Sequence, residues 1–144
     1  MTKTALYLFL AATSLALYVL THYTLNLSPS EAIGLYRPTH DAFKRGALVL
    51  LRDPLKRLVA TPGDFIRTSP EGTYVNGRLI RNSGIPAGSP YRPYPFTTFR
   101  LAPDQYWTLG DHPLSYDSRY YGAVPGSLIA STAIPVWTEG ATQQ

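Results

Sequence analysis

Two side chains in this sequence have the chemistry to work as a pair, Ser30 and Lys56. A serine hydroxyl is a weak nucleophile near neutral pH and needs a base beside it. Histidine is the usual base, but His22 adjoins an apolar run, His40 lies in a polar Pro-Thr-His-Asp stretch and His112 sits beside Pro113, so each reads as a surface residue. No G-x-S-x-G elbow is present. A lysine serves instead where burial lowers its pKa enough for the neutral amine to exist. Of the three lysines, Lys3 precedes the apolar N-terminal run, Lys44 lies next to Arg45 in a polar stretch, and Lys56 falls inside the short apolar segment Leu55 to Ala60. Strand alternation places Lys56 on one face with Leu58 and Ala60, and Arg57 on the other with Leu55 and Val59. Arg57 is excluded as a base because guanidinium stays protonated in proteins. From pattern alone, an edge-strand lysine that blunts strand pairing ranks slightly ahead of a catalytic one. Ser30 by type is an ordinary loop serine; its interest lies in its place, a few residues beyond the apolar run, where substrates leaving a bilayer would pass.

A third polar cluster runs from Gly110 to Gly122 and contains Ser115, Asp117 and Arg119. A carboxylate and a guanidinium two residues apart often organise a loop and nothing more. Asp104, Asp111, His112 and Asp117 match no metal-ligand spacing, so no metal and no cofactor are expected. The absence of cysteine excludes disulfides, thiolate zinc sites and a Cys nucleophile together. The formal charge of +4 is spread along the chain with no dense basic run, which argues against a nucleic acid partner.

The elements that must position these residues begin with a membrane anchor. Ala5 to Leu20 is uncharged and apolar, at the short end of spanning length, with Lys3 before it and Tyr18 and Tyr23 at its outer end. No A-x-A-like cleavage site follows, so the segment reads as retained, with residues 1–25 as the anchor. Residues 26–144 then form one extracytoplasmic domain, on the outer or periplasmic side of a bacterial plasma membrane. Its prolines, glycines and tyrosines, set among Val-, Leu- and Thr-rich runs, predict a mainly β fold. Strands are expected at Gly46 to Leu51, bounded by Asp53-Pro54, and at Leu55 to Ala60, Asp64 to Thr68, Gln105 to Leu109 and Ser127 to Trp137. Asn76-Gly77 between Thr73-Tyr-Val75 and Arg78-Leu-Ile80 predicts a type I′ hairpin. Asn82 to Pro95 reads as a long surface loop, and Asn26 to Arg37 as a turn-rich extended stretch.

Taken in order, Ser30-Glu-Ala-Ile-Gly-Leu-Tyr36, Lys56-Arg-Leu-Val-Ala-Thr-Pro-Gly-Asp64, Val75-Asn-Gly77 and Gly110-Asp111 with Ser115-Tyr-Asp-Ser-Arg119 and Gly122 resemble the boxes of the type I signal peptidases, the S26 serine proteases. Within that family the chain is similar to the TraF-type peptidases of conjugative transfer. The resemblance implies an antiparallel β signal-peptidase fold carried on one N-terminal transmembrane helix, with an apolar surface resting on the membrane. It further implies Ser30 as nucleophile and Lys56 as general base, with the Ser28 hydroxyl and the Ser30 N–H stabilising the oxyanion. Ser115 would orient the lysine, and Asp117 and Arg119 would form a structural ion pair beside the site. Two positions depart from the pattern: Glu31 stands where many relatives carry Met, and Ala32 where they carry Pro. The implied activity is cleavage of secreted or pilin-type precursors after small residues, with pilin cyclisation as a variant outcome. The alternative is a catalytically silent, membrane-anchored assembly protein of a conjugation or secretion apparatus.

Overall fold

The structure, a computed structural model, describes residues 2–51 and 54–139. Asp53, expected to bound a strand, and the last residues of the expected 26–144 domain lie outside them. Helix α1 (Lys3–His22) is built from the apolar run and is exposed along its length, with no buried residue. Thr2 caps it, its hydroxyl accepting the Ala5 N–H at 3.3 Å. Twenty residues rise about 30 Å, long and apolar enough to cross a bilayer core.

Among the described residues eleven strands follow, all paired antiparallel, in two sheets. The larger sheet comprises β1 (Thr24–Asn26), β2 (Gly34–Thr39), β3 (Leu48–Leu51), β4 (Leu55–Ala60), β9 (Gln105–Leu109), β10 (Val124–Pro125) and β11 (Ile129–Thr138). Its spatial order is β1-β2-β11-β3-β4-β9-β10. The smaller sheet has the order β7-β6-β5-β8, from β5 (Phe65–Ser69), β6 (Gly72–Val75), β7 (Arg78–Leu79) and β8 (Thr98–Arg100). The expected hairpin joins β6 to β7, with Asn76 at φ 50° and Gly77 at φ 80°, the paired positive values a type I′ turn needs.

β4 is flanked by β3 and β9, so Lys56 lies on a central strand. This removes the edge-strand reading that pattern alone favoured: β4 has a paired strand on each side. The face assignment also needs one correction. The register slips between Leu58 and Ala60, and this bulge sends Val59 and Ala60 together into one core cluster while Leu58 joins another. Lys56 and Leu58 share a face, as alternation predicts; Ala60 does not join them.

The first cluster joins the two sheets. Val59, Ala60, Trp107 and Leu109 of the large sheet pack with Ile66 and Val75 of the small one and with Leu101. Trp107, fully buried, meets the Tyr94 and Phe99 rings at 5.5 and 5.7 Å between centroids. The stretch from Asn82 to Pro95 has no regular structure, as expected, yet it is tied down: the Tyr94 N–H donates to the Arg119 carbonyl at 2.7 Å. The polar segment after Gly110 contains a short helix α2 (Ser118–Tyr121), capped by the Asp117 carboxylate, that alternation and periodicity over so few residues cannot reveal.

Because Trp107 is shared by both sheets, Trp107→Ala is expected to cost about 3–5 kcal/mol of folding stability. Urea unfolding of the wild type and the variant measures it.

Candidate active site

Three segments that are distant in sequence meet at one end of β4. Beyond Leu109, where β9 stops pairing with β4, the Asp111 N–H donates to the Ser30 carbonyl at 2.6 Å and ties the loop Leu27 to Ala32 to the segment after β9. Asn26 organises that loop from its base. Its buried side-chain amide lies 2.9, 3.1 and 3.0 Å from the carbonyls of Ser28, Glu31 and Ala32, and its Oδ1 accepts the Ser28 N–H at 3.2 Å. From β2 the Tyr36 hydroxyl donates to the Ala32 carbonyl at 2.6 Å. The backbone after Ser30 is therefore fixed without a proline at position 32.

In the centre, the Lys56 ammonium donates to Ser30 Oγ at 2.9 Å and forms a second, short hydrogen bond to Ser115 Oγ. Ser115 Oγ in turn donates to Ser30 Oγ at 3.0 Å, closing a triangle of two hydroxyls and one amine. All three residues are buried, Lys56 to 1% exposure. Among the described residues no carboxylate pairs with Lys56. Burial accordingly pushes the Lys56 amine below its ordinary value; the Asp117 carboxylate opposes that shift, the Arg119 guanidinium reinforces it and Glu31 opposes it.

Asp117 is prevented from serving as the lysine's counter-ion by its own partners. Arg119 Nε and Nη2 engage its two oxygens at 2.8 and 2.7 Å, with both side chains buried, and Asp117 Oδ2 also accepts the Gly110 N–H at 2.9 Å. The remaining Arg119 N–H groups donate to the carbonyls of Asn82, Gly84, His112, Pro113 and Ser115. One guanidinium thus ties the long loop, the Ser115 backbone and the Asp117 carboxylate into a single unit. Ser28, half-buried, has its hydroxyl 3.1 Å from Ser30 Oγ and accepts the Ser30 N–H at 3.3 Å, so these two donor groups face each other on one side of the nucleophile loop.

The structure brings together Ser28, Ser30, Lys56, Ser115, Asp117 and Arg119. It keeps His22, His40 and His112 exposed, none of them bonded to Ser30. Sequence reasoning missed Asn26, Tyr36 and Gly110 as supports. It also assigned no partner to Glu31 or Arg57. Glu31 is buried, and burial raises its carboxyl to about 7 against the pull of Arg57, whose Nη2 lies 2.9 Å from Oε2. No metal-sized group of three His, Asp or Glu side chains converges among the described residues.

The site is a buried hydroxyl–amine centre on an antiparallel β domain that follows an apolar helix. By sequence, the chain belongs to the family described as signal peptidase, peptidase S26, which matches residues 1–137. A probable signal peptidase I-2 of Synechocystis sp. (strain ATCC 27184 / PCC 6803 / Kazusa) is 38% identical over 99 residues, covering 68% of this chain but only 38% of the relative. The chain thus spans less than two-fifths of that protein. The plasmid transfer protein TraF of Escherichia coli is 26% identical over 144 residues, covering 78% of this chain and 81% of its own length. Of solved structures, a signal peptidase I from Enterococcus faecalis V583 aligns with a TM-score of 0.45 at 22% identity, over 65% of this chain and 98% of that one.

Gly110 allows the third segment to approach. A Cβ there would meet Ser115 Oγ, would lie 2.7 Å from Ser115 Cβ and would be 3.0 Å from the Ser30 carbonyl. Gly110→Ala is therefore expected to cost about 1–3 kcal/mol through overpacking at the junction of the two loops. Denaturant unfolding tests this, and an unchanged midpoint would contradict the close approach.

Proposed function

We propose that the chain is a membrane-anchored serine endopeptidase in which Ser30 is the nucleophile and Lys56 the general base. The observation that carries this reading is the 2.9 Å bond between Lys56 Nζ and Ser30 Oγ at a buried position where no carboxylate of the described residues pairs with the amine. In the neutral form Lys56 takes the Ser30 proton as Oγ attacks the scissile carbonyl, then gives it to the departing amine. The acyl-Ser30 ester is released by water, or by an amine, with Lys56 accepting the attacking group's proton and returning it to Ser30 Oγ.

Ser28 and the Ser30 N–H supply the oxyanion donors in this scheme, after turning from each other to the incoming oxygen. One such donor lowers the barrier by about 3 kcal/mol. Ser115 holds the amine aimed at Ser30, and the Asp117–Arg119 pair holds Ser115. The substrates are secreted or pilin-type precursors cut after small residues, and the TraF relative favours a role in conjugation. Capture of the acyl-enzyme by the substrate's own amine would yield a cyclic pilin. Helix α1 anchors the enzyme in the inner membrane with the β domain on the periplasmic side.

Ser30→Ala and Lys56→Ala are each expected to abolish cleavage of a co-expressed pilin precursor without unfolding the domain, read by intact mass spectrometry and circular dichroism. Normal processing by either variant refutes the dyad. Lys56→Arg keeps charge but offers no neutral base, and is expected to be equally inactive. A product one water lighter than the linear form identifies cyclisation; the linear mass identifies hydrolysis.

A further inference from the structure

The strand that carries Lys56 holds a second polar contact to the nucleophile loop. Arg57, the next residue on β4, projects to the opposite face of the strand from Lys56. Its Nη2 donates to Glu31 Oε2 at 2.9 Å, and Glu31 is the residue immediately after Ser30. Two consecutive residues of β4 thus grip two consecutive residues of the loop, Lys56 on Ser30 and Arg57 on Glu31. The same Arg57 Nη2 reaches Asp111 Oδ2 at 3.3 Å, and the Asp111 N–H holds the Ser30 carbonyl at 2.6 Å.

We propose that Glu31 is a positioning residue whose ion pair with Arg57 clamps the nucleophile loop to β4 and so fixes Ser30 Oγ against Lys56. Its ionisation makes the clamp sensitive to pH. The inference rests on the Ser30–Lys56 reading of the site.

Three features single out this pair. The Glu31 side chain is buried to 2% exposure, and its Oε1 has no hydrogen-bond partner among the described residues, so Arg57 supplies most of what keeps a charge there. The charged and titratable groups that face Glu31 are Arg57 and Lys56 from β4, Asp111 from the loop after β9 and Tyr36 from β2. Of these, Arg57 donates to the carboxylate, whereas the Asp111 carboxylate beside it pushes the Glu31 carboxyl further up. Lastly, the carboxyl titrates at about 7, so the clamp is charged above that value and neutral below it.

The sign follows directly. As pH falls through about 7, Glu31 takes up a proton, the ion pair with Arg57 weakens and the loop loosens. Lys56 is also protonated as pH falls, so two groups, not one, remove activity on the acid side. The logarithm of kcat should fall with a slope between one and two, and not with the slope of a single base.

The test is the pH–rate profile of the full-length protein in detergent micelles, with a fluorogenic peptide bearing Ala-x-Ala before the scissile bond. The variants are Glu31→Gln, which keeps the shape without the charge, and Glu31→Gln combined with Arg57→Gln, which leaves no unpaired guanidinium. At pH 8 Glu31→Gln is expected to lower kcat about tenfold or more with KM changed by less than about twofold, since a misplacement of about 1 Å costs that much or more. Its acid limb should show a single ionisation. The double variant should be no worse than Glu31→Gln alone, because the two residues act as one unit. If Glu31→Gln retains the wild-type kcat and the wild-type acid limb while Ser30→Ala is inactive, the clamp is wrong and the dyad stands. If the double variant is instead markedly slower than Glu31→Gln alone, the pair does not act as a unit and the clamp is equally overturned. Activity retained in Ser30→Ala would overturn the dyad, and with it the reading on which the clamp rests.

Discussion

The burial of one lysine amine with no carboxylate partner among the described residues is the constraint around which the domain is arranged. A charged ammonium at 1% exposure is expensive, and the protein offsets that cost with hydroxyl groups, not with a counter-charge. A carboxylate bonded to the amine would stabilise the fold but hold the proton on nitrogen. Asp117 is near enough to bias the lysine, yet both its oxygens are committed to Arg119 and to the Gly110 amide. The Asp117–Arg119 pair is thus a device for keeping negative charge close to the site but occupied.

The same logic sets the stability of the domain against pH. Between the lowered Lys56 value and the ordinary 10.5, the unfolded chain binds one proton more than the folded one, so stability rises with pH in that window. For Glu31 the order is reversed. Between 4.5 and about 7 the folded chain binds the extra proton, and stability falls as pH rises. At a pH near neutrality both groups cost the fold something, which is what a site held for chemistry, and not for stability, should do. The cores around Trp107 and around Leu58 supply the burial that carries this load.

Much of the architecture was legible because it rests on local signals. Asn76-Gly77 specifies its turn by the need for positive φ, and apolar runs bounded by Gly and Pro mark β3 and β4. Long-range order was not legible. Period-two alternation cannot say whether a strand is central or at an edge, so pattern alone reads Lys56 as an edge residue, whereas β4 pairs with β3 on one side and β9 on the other. Nor can it foresee a bulge, which is why Ala60 was assigned to the wrong face. The candidate site residues came from ordered motifs, and the structure groups all six of them. The supports around them were missed for a physical reason: Asn26 and Tyr36 act through backbone carbonyls, which no side-chain pattern encodes. Glu31 stood out only as a departure from the family pattern, and its partner Arg57 is 26 residues away along the chain.

The claim that burial, uncompensated by a bonded carboxylate, makes Lys56 a usable base can be measured without any substrate. With only three lysines in the chain, protein labelled with carbon-13 at the lysine ε position gives a spectrum simple enough to follow by NMR as pH is raised, the Lys56 signal being identified by its loss in Lys56→Arg. The account predicts that this amine titrates below 10.5 in the folded protein. Titration at or above 10.5 would mean that the site holds the ammonium form, and would contradict the role of Lys56 as the proton acceptor.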